Sequence, residues 1–254
     1  TGAKTALCVT DSKQATTPRI ALIGLLLAML SPVLPATAQI PGHVPSDDAL
    51  VAFYPLDNGI WTDLSVNGWN QGTNAPAVDR HGVVGGCADF SAPTAFQDVV
   101  INNLNLGAAE FTISFWYRTL DPSQTLQTFF NTSPHNGIGA NLNFHTTPQK
   151  LTLFYGNGSG WTYAYAGPSG STFVDSDWHH LVIRKSGLVV EMIVDDQTEY
   201  SNTLGSATPS FFPDHLHFGS IAGGGAEIFN GYLDEVGIWS RALTDLELTA
   251  LNTG

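Results

Sequence analysis

From Leu50 to Trp239 the chain runs as short stretches that alternate apolar and polar residues, each closed by Gly, Asn, Asp, Pro or Ser. Phe111-Thr112-Ile113-Ser114-Phe115-Trp116-Tyr117-Arg118 shows the pattern. Successive side chains of a strand point to opposite faces, so such a stretch wets one face and buries the other, which a sheet satisfies and a helix does not. The candidate strands are Leu50–Pro55, Ala88–Phe90, Asp98–Ile101, Phe111–Arg118, Thr125–Asn131, Ala140–His145, Lys150–Tyr155, Thr162–Ala166, His179–Lys185, Val189–Val194, Gln197–Tyr200, His215–Phe218 and Gly231–Trp239. Many short strands with turn-rich joins predict an all-β fold, a two-sheet antiparallel β-sandwich of the jelly-roll type. Only Thr244–Leu251, with Leu246, Leu248 and Leu251 and with Gly254 beyond them, reads as a helix.

The N-terminal end follows a different rule. Ile20–Leu34 is apolar, with Arg19 before it and Pro35-Ala36-Thr37-Ala38 after it. A positive flank, an apolar h-region and an A-x-A site describe a signal peptide cleaved near Ala38. The run is short for a membrane span, although an uncleaved anchor is the alternative. Residues 1–18 carry no initial Met and read as a fragment end or a mis-called start. The expected organisation is a leader over 1–38, a loose lead-in over 39–47 and one domain over 48–254. The expected location is secreted, extracellular or periplasmic, with no membrane span after cleavage.

Past residue 38, six Lys and Arg face 21 Asp and Glu, a net charge of −15. Such a surface repels phosphate backbones and excludes nucleic acid as a partner. Cleavage removes Cys8 and leaves Cys87 alone, so no internal disulfide is expected. Cys87 follows Gly85-Gly86 in apolar surroundings and reads as a small buried hydrophobe.

Six motifs, in order, resemble the laminin-G-like branch of the concanavalin A-like jelly rolls. Leu50–Asp57 is similar to the family's opening strand, and Asp63-Leu64-Ser65-Val66-Asn67-Gly68-Trp69-Asn70 to its D-x-S-x-N-G-x-N loop. Val84–Phe90 resembles the G-x-A-x-x-F strand entry, and Phe111–Trp116 the F-T-[IV]-S-x-W strand. Trp178-His179-His180-Leu181 resembles a W-H-H-[LV] strand start, and Val190–Asp196 the strand closing on a V-D-G turn, with Asp196 in place of Gly. Beyond these six, a seventh stretch, Phe229–Glu247, resembles the family's terminal signature. The resemblance implies a sandwich used mostly as a binding scaffold.

Two sites follow. Asp57, Asp63, Ser65, Asn67 and Asn70 offer hard oxygens, and Ca2+ takes about 6–8 of them in an irregular shell. Asp234 completes the set if the first and last strands pair, and the resemblance favours a structural calcium held by Asp57, Asp63, Asn67 and Asp234. The alternative is that Asp63, Ser65 and Asn67 form Asx-type turns while Asp234 pairs with Arg241. The second site is aromatic. Tyr155–Tyr165 sets Asn157, Trp161, Tyr163 and Tyr165 around a Gly-rich turn, which suits the apolar faces and hydroxyls of a sugar. Phe211-Phe212 and Gly223–Gly225 are weaker rim candidates. The alternative puts the tyrosines over the core. Trp116, Trp178 and Trp239 read as core, while Trp61 and Trp69 are open.

Catalysis is not expected. Glycosidases need paired carboxylates flanking one bond, whereas Glu191 and Asp195 stand without a third acid, and Asp195-Asp196 belongs to a turn. His179 and His180 are adjacent, which sends them to opposite faces and opposes zinc binding. The reading is a secreted, non-catalytic module for a glycan or a cell-surface ligand. A protein–protein adhesion module and, further off, a divergent glycan hydrolase or lyase are the alternatives.

Overall fold

The computed structural model describes residues 39–101, 110–124, 126–132, 142–147, 150–156, 161–166, 173–203, 215–221 and 227–254, all within the unit Ala38–Gly254. In chain order the strands are β1 (Leu50–Tyr54), β2 (Ala75–Val78), β3 (Val84–Asp89), β4 (Gln97–Val100), β5 (Phe111–Thr119), β6 (Gln127–Thr132) and β7 (Leu142–Thr147). There follow β8 (Lys150–Gly156), β9 (Trp161–Ala166), β10 (Trp178–Ser186), β11 (Val189–Val194), β12 (Gln197–Thr203), β13 (His215–Phe218) and β14 (Gly231–Trp239). A 3-10 turn at Asp57–Gly59 and one helix, α1 (Asp245–Thr253), complete them. The expected β-sandwich with a short C-terminal helix is what forms. The strand that sequence reading misses is β2: Ala75-Pro76-Ala77-Val78 is mostly exposed and does not alternate.

Pairing is antiparallel throughout both sheets. The larger has the order β12-β11-β10-β5-β14-β3-β2, and the smaller the order β4-β13-β6-β7-β8-β9. Along one edge of β14, β3 pairs with Tyr232 and Leu233 while β1 pairs with Val236 to Trp239. The handover coincides with a β-bulge between Asp234 and Gly237, at which Glu235 takes φ 48°. Gly231 at the start of β14 leaves no room for a side chain: a Cβ there would lie 2.2 Å from the Arg118 carbonyl oxygen.

The core between the sheets is rich in aromatic rings. Phe115 meets Phe130 and Phe218 edge-on, at 6.0 and 6.4 Å between ring centroids, and Tyr117 meets Phe129 at 4.8 Å. Trp61 is fully buried against Tyr54 and Phe218, its Nε1 donating to Asn74 Oδ1 at 2.8 Å. Cys87 is buried as expected, and desolvation followed by the charges of Asp234, Asp79 and Asp89 pushes its thiol up to about 12.

A second apolar cluster lies on the outer face of the larger sheet. There Phe53, Val182, Ile193 and Trp239 meet Leu243, Leu248 and Leu251 of the α1 region and Val44 of the lead-in. Trp239 Nε1 donates to the Pro45 carbonyl at 2.8 Å. The lead-in is thus fastened, not loose. A capping box between Thr244 and Glu247 starts α1, satisfying donors that a helix N-terminus leaves unpaired.

Trp239 is core as expected, but Trp116 and Trp178 are only partly buried. Strand alternation puts both opposite Phe115, Tyr117 and Leu181, on the outer face; Trp178 lies beside Tyr232 at 6.2 Å.

Candidate functional site

The loop that follows β1 is organised by Asp63. Its Oδ1 accepts from the N–H groups of Phe53 and Ser65, both at 2.9 Å, and its Oδ2 accepts from Ser65 Oγ and the Trp69 N–H, both at 2.8 Å. Asn70 Oδ1 accepts from the Asp63 N–H at 2.9 Å, and Asn67 Nδ2 donates to the Val51 carbonyl at 2.8 Å. The Asx-type turn reading holds for this loop. Four donors occupy the carboxylate that the expected calcium shell requires, so a cation there would have to displace them. Asp57 lies in the 3-10 turn, and partial desolvation followed by the charges of Asp79 and Glu235 raises its carboxyl.

Asp234 is engaged elsewhere. β1 and β14 do pair, as the shell required, but the acid is met by Arg80 in the β2–β3 turn. Arg80 Nη1 lies 2.8 Å from Asp234 Oδ2, and Nη2 lies 3.0 Å from Glu235 Oε2 and donates to the Gly254 carbonyl at 3.0 Å. Arg241, the alternative partner, binds Asp47 and Glu247 instead. Asp57, Asp63, Asn67 and Asp234 are therefore not assembled as a cation shell, and among the described residues no cluster of three or more His, Cys, Asp or Glu is arranged to hold a metal. Burial and the Glu235 charge push Asp234 up to about 8, against the pull of Arg80.

The Arg80 guanidinium also lies over the Trp116 ring, 4.6 Å from its centroid, and Trp116 stacks on His180 at 5.1 Å. His180 Nε2 lies 2.7 Å from Ser114 Oγ. Burial holds this imidazole neutral, with its pKa lowered to about 3. Sequence reading gave Arg80 no role, because a turn arginine has no motif and its partners are 36 to 174 residues away in the chain.

His179 and His180 do face opposite ways. His179 is held between two acids, Nδ1 at 2.7 Å from Asp195 Oδ2 and Nε2 at 3.1 Å from Asp175 Oδ1. The turn after β11 keeps its shape without glycine: Asp195 and Asp196 take φ 50° and 64°, the two positive angles a type I′ turn requires. Thr249 Oγ1 donates to Asp196 at 2.9 Å.

The acids examined for catalysis are separated in role. Glu191 accepts from Arg184 Nε at 2.8 Å, whereas Asp195 serves His179 and the His180 N–H. Arg184 and Glu191 line two clefts beside α1, of about 490 and 300 Å3. Arg184 also binds Asp245 at 2.6 Å, so one guanidinium serves two carboxylates there.

Asn157, Phe211, Phe212 and Gly223–Gly225 lie outside the described residues. Trp161, Tyr163 and Tyr165 belong to β9, the edge strand of the smaller sheet. In the β8–β9 ladder, Leu151 and Leu153 pair with Ala166 and Ala164, while Gly156, Phe154 and Thr152 pair with Trp161, Tyr163 and Tyr165. Leu151 and Leu153 are core. Paired positions share a face, so 161, 163 and 165 fall on the face opposite the core. Register extends that row across the sheet: Tyr163, Phe154, Asn143, Asn131, His217 and Asp98 are successive partners. Asn131 and Thr152 are themselves buried, and Thr152 is the register partner of Tyr165. No local sequence signal brings β13 and β4 to the side of the consecutive strands β6 to β9.

Residues 93–249 match the family model of the laminin-G type described as the concanavalin A-like lectin/glucanases superfamily. The chain belongs to that superfamily. No curated protein matches the sequence. Among solved structures the chain resembles the binding domain of Paraclostridial Mosquitocidal Protein 1, at 18% identity and TM-score 0.63, over 80% of this chain and 52% of that one. It also resembles the ligand-binding domain of botulinum neurotoxin serotype D in complex with N-acetylneuraminic acid, at 14% identity and TM-score 0.63, over 82% and 51%. A third is the binding domain of botulinum neurotoxin DC in complex with rat synaptotagmin II, at 14% and TM-score 0.63, over 82% and 52%. The chain thus spans about half the length of these domains, and the likeness is one of fold. Among the described residues no helix is long and apolar enough to cross a membrane.

Proposed function

We propose that the chain is an exported, non-catalytic binding module that takes a glycan at the β9 edge of the smaller sheet. The observation that carries this reading is the β8–β9 register, which sets Trp161, Tyr163 and Tyr165 on the face away from Leu151 and Leu153. Aromatic rings stack on the C–H faces of sugars, and tyrosine adds a hydroxyl for their polar edges. Two fold relatives support a binding role, one solved with N-acetylneuraminic acid and one with rat synaptotagmin II. The charge of −15 past residue 38 disfavours an anionic sugar, which makes neutral glycans the expected class. The run Ile20–Leu34 with Ala36-Thr37-Ala38 is the export signal in this reading.

A glycan array probed with the wild-type protein and with Trp161→Ala tests the proposal. Binding to neutral glycans that drops about fivefold or more in the variant supports it, since one stacked ring contributes on the order of 1 kcal/mol or more. Binding that survives in Trp161→Ala, Tyr163→Ala and Tyr165→Ala moves the site off β9. Silence on the array together with capture of a protein receptor favours the adhesion reading. The exported product should begin at Gln39 on N-terminal sequencing.

A further inference from the structure

Away from the β9 face, one titratable group holds two pieces of backbone together. The segment Phe173–Asp177 leads into β10 and is tied to β5 by three main-chain carbonyls. Tyr117 Oη donates to the Phe173 carbonyl at 2.7 Å, Arg118 Nε to that of Ser176 at 2.6 Å, and Thr119 Oγ1 to that of Asp175. Its side-chain tie is His179, which bridges Asp175 in this segment to Asp195 in the β11–β12 turn. The ring is about nine-tenths buried, edge-on to Phe173 at 5.9 Å and 5.6 Å from the Tyr117 ring.

Both ring nitrogens face carboxylate oxygens. A neutral imidazole has one N–H and one lone pair, so only the imidazolium donates to both acids. We propose that His179 is a proton-operated bolt: charged, it locks the Phe173–Asp177 segment to the β11–β12 turn, and on losing its proton to solvent it releases Asp175. Asp175 is the partner that lets go. Asp195 has the shorter contact and a second donor in the His180 N–H at 2.9 Å, so it retains the remaining ring proton. Asp175 is left with the Asp177 N–H at 2.7 Å.

The groups facing His179 are few. Asp175 is the acid the segment brings, Asp195 the one from the turn, and Tyr117 the titratable group from β5, with its phenol held neutral by burial. His180 of β10 is neutral and points to the other face, and Arg118 spends its Nε on the Ser176 carbonyl. Desolvation works against the charge on His179, but hydrogen bonds and charges from Asp195 and Asp175 outweigh it, so its pKa is raised. The bolt is closed below the ordinary histidine value of about 6.5 and opens as pH rises through the higher folded value.

The test reads the full chain by imidazole NMR and by amide hydrogen exchange between pH 6 and 9.5, corrected for intrinsic rates. Both nitrogens of His179 should be protonated at pH 7, with a midpoint above 6.5. Protection of the Asp177 amide, which donates to Asp175 Oδ1, should fall about tenfold or more across that midpoint as the released segment opens more often, while the β5 amides of Ile113 and Phe115 stay unchanged. In His179→Gln, whose single amide nitrogen cannot replace both ring nitrogens and does not titrate, protection should be low and flat with pH. Asp175→Asn should lower the midpoint and leave the fold intact. A midpoint at or below 6.5, or the same pH-dependent loss of protection in His179→Gln, overturns the proposal.

Discussion

Asp63 shows how one buried carboxylate organises a loop through the donors around it. It collects three N–H groups and a hydroxyl within 2.9 Å, and charge-assisted hydrogen bonds are the strong ones. Asp63→Ala leaves those donors without a partner and should lower unfolding free energy by about 3 kcal/mol, read from urea melts. Thermal midpoints in excess calcium and in chelator should coincide, because Asp63 and Asp234 already have protein partners. A rise of several degrees in calcium would refute this account. The D-x-S-x-N-G-x-N pattern showed that Asp63, Ser65 and Asn67 act together. It could not distinguish metal from N–H, since both need the same oxygens and the deciding donors are main-chain groups. Arg80 was illegible for another reason: its partners Asp234, Glu235 and Gly254 meet it only through folding.

Strands and helix were legible because period and punctuation are local properties. Val189–Val194, His215–Phe218 and Gly231–Trp239 are bounded in the sequence as in the structure, whereas β2 was not, because an exposed edge strand containing Pro76 has no apolar face to alternate. The face on which an element spends its aromatic rings was less legible. Trp116 and Trp178 sit in strand motifs that suggest core, yet the larger sheet is covered on both sides and they belong to its outer layer. α1 is the element on which that layer depends. Trp239→Ala should destabilise by about 3–5 kcal/mol, as large-to-small changes in a packed site do. Thr244→Ala should cost about 1 kcal/mol through loss of the helix cap. Denaturant titrations followed by circular dichroism read both variants on one scale, since Trp239→Ala itself removes a fluorophore.

For the molecule as a whole, the buried titratable groups set a pH profile. The folded state keeps protons on Asp234 up to about 8 and on His179 above 6.5, where the unfolded chain has lost them. Both therefore withdraw stability as pH rises. His180, neutral down to about 3 in the fold, acts in the opposite sense: the unfolded chain takes a proton below 6.5 and stability falls toward acid. Asp195 and Glu247, both lowered, add to the loss in acid. The thermal midpoint should thus be higher at pH 6 than at pH 8.5, and calorimetry at constant ionic strength checks it. A flat profile between those values would mean that the Arg80 pair holds Asp234 ionised throughout.

The fastening of the lead-in beside the end of α1 has a use in protein engineering. The His43 ring packs against Gly254, within reach of any side chain placed there, and His43 Nε2 lies 3.2 Å from Glu235. Two backbone points so close are the geometry that tolerates insertion into a host. Short linkers at His43 and Gly254 should therefore let a host loop carry the stretch between them, and an unchanged thermal midpoint of the host would check it.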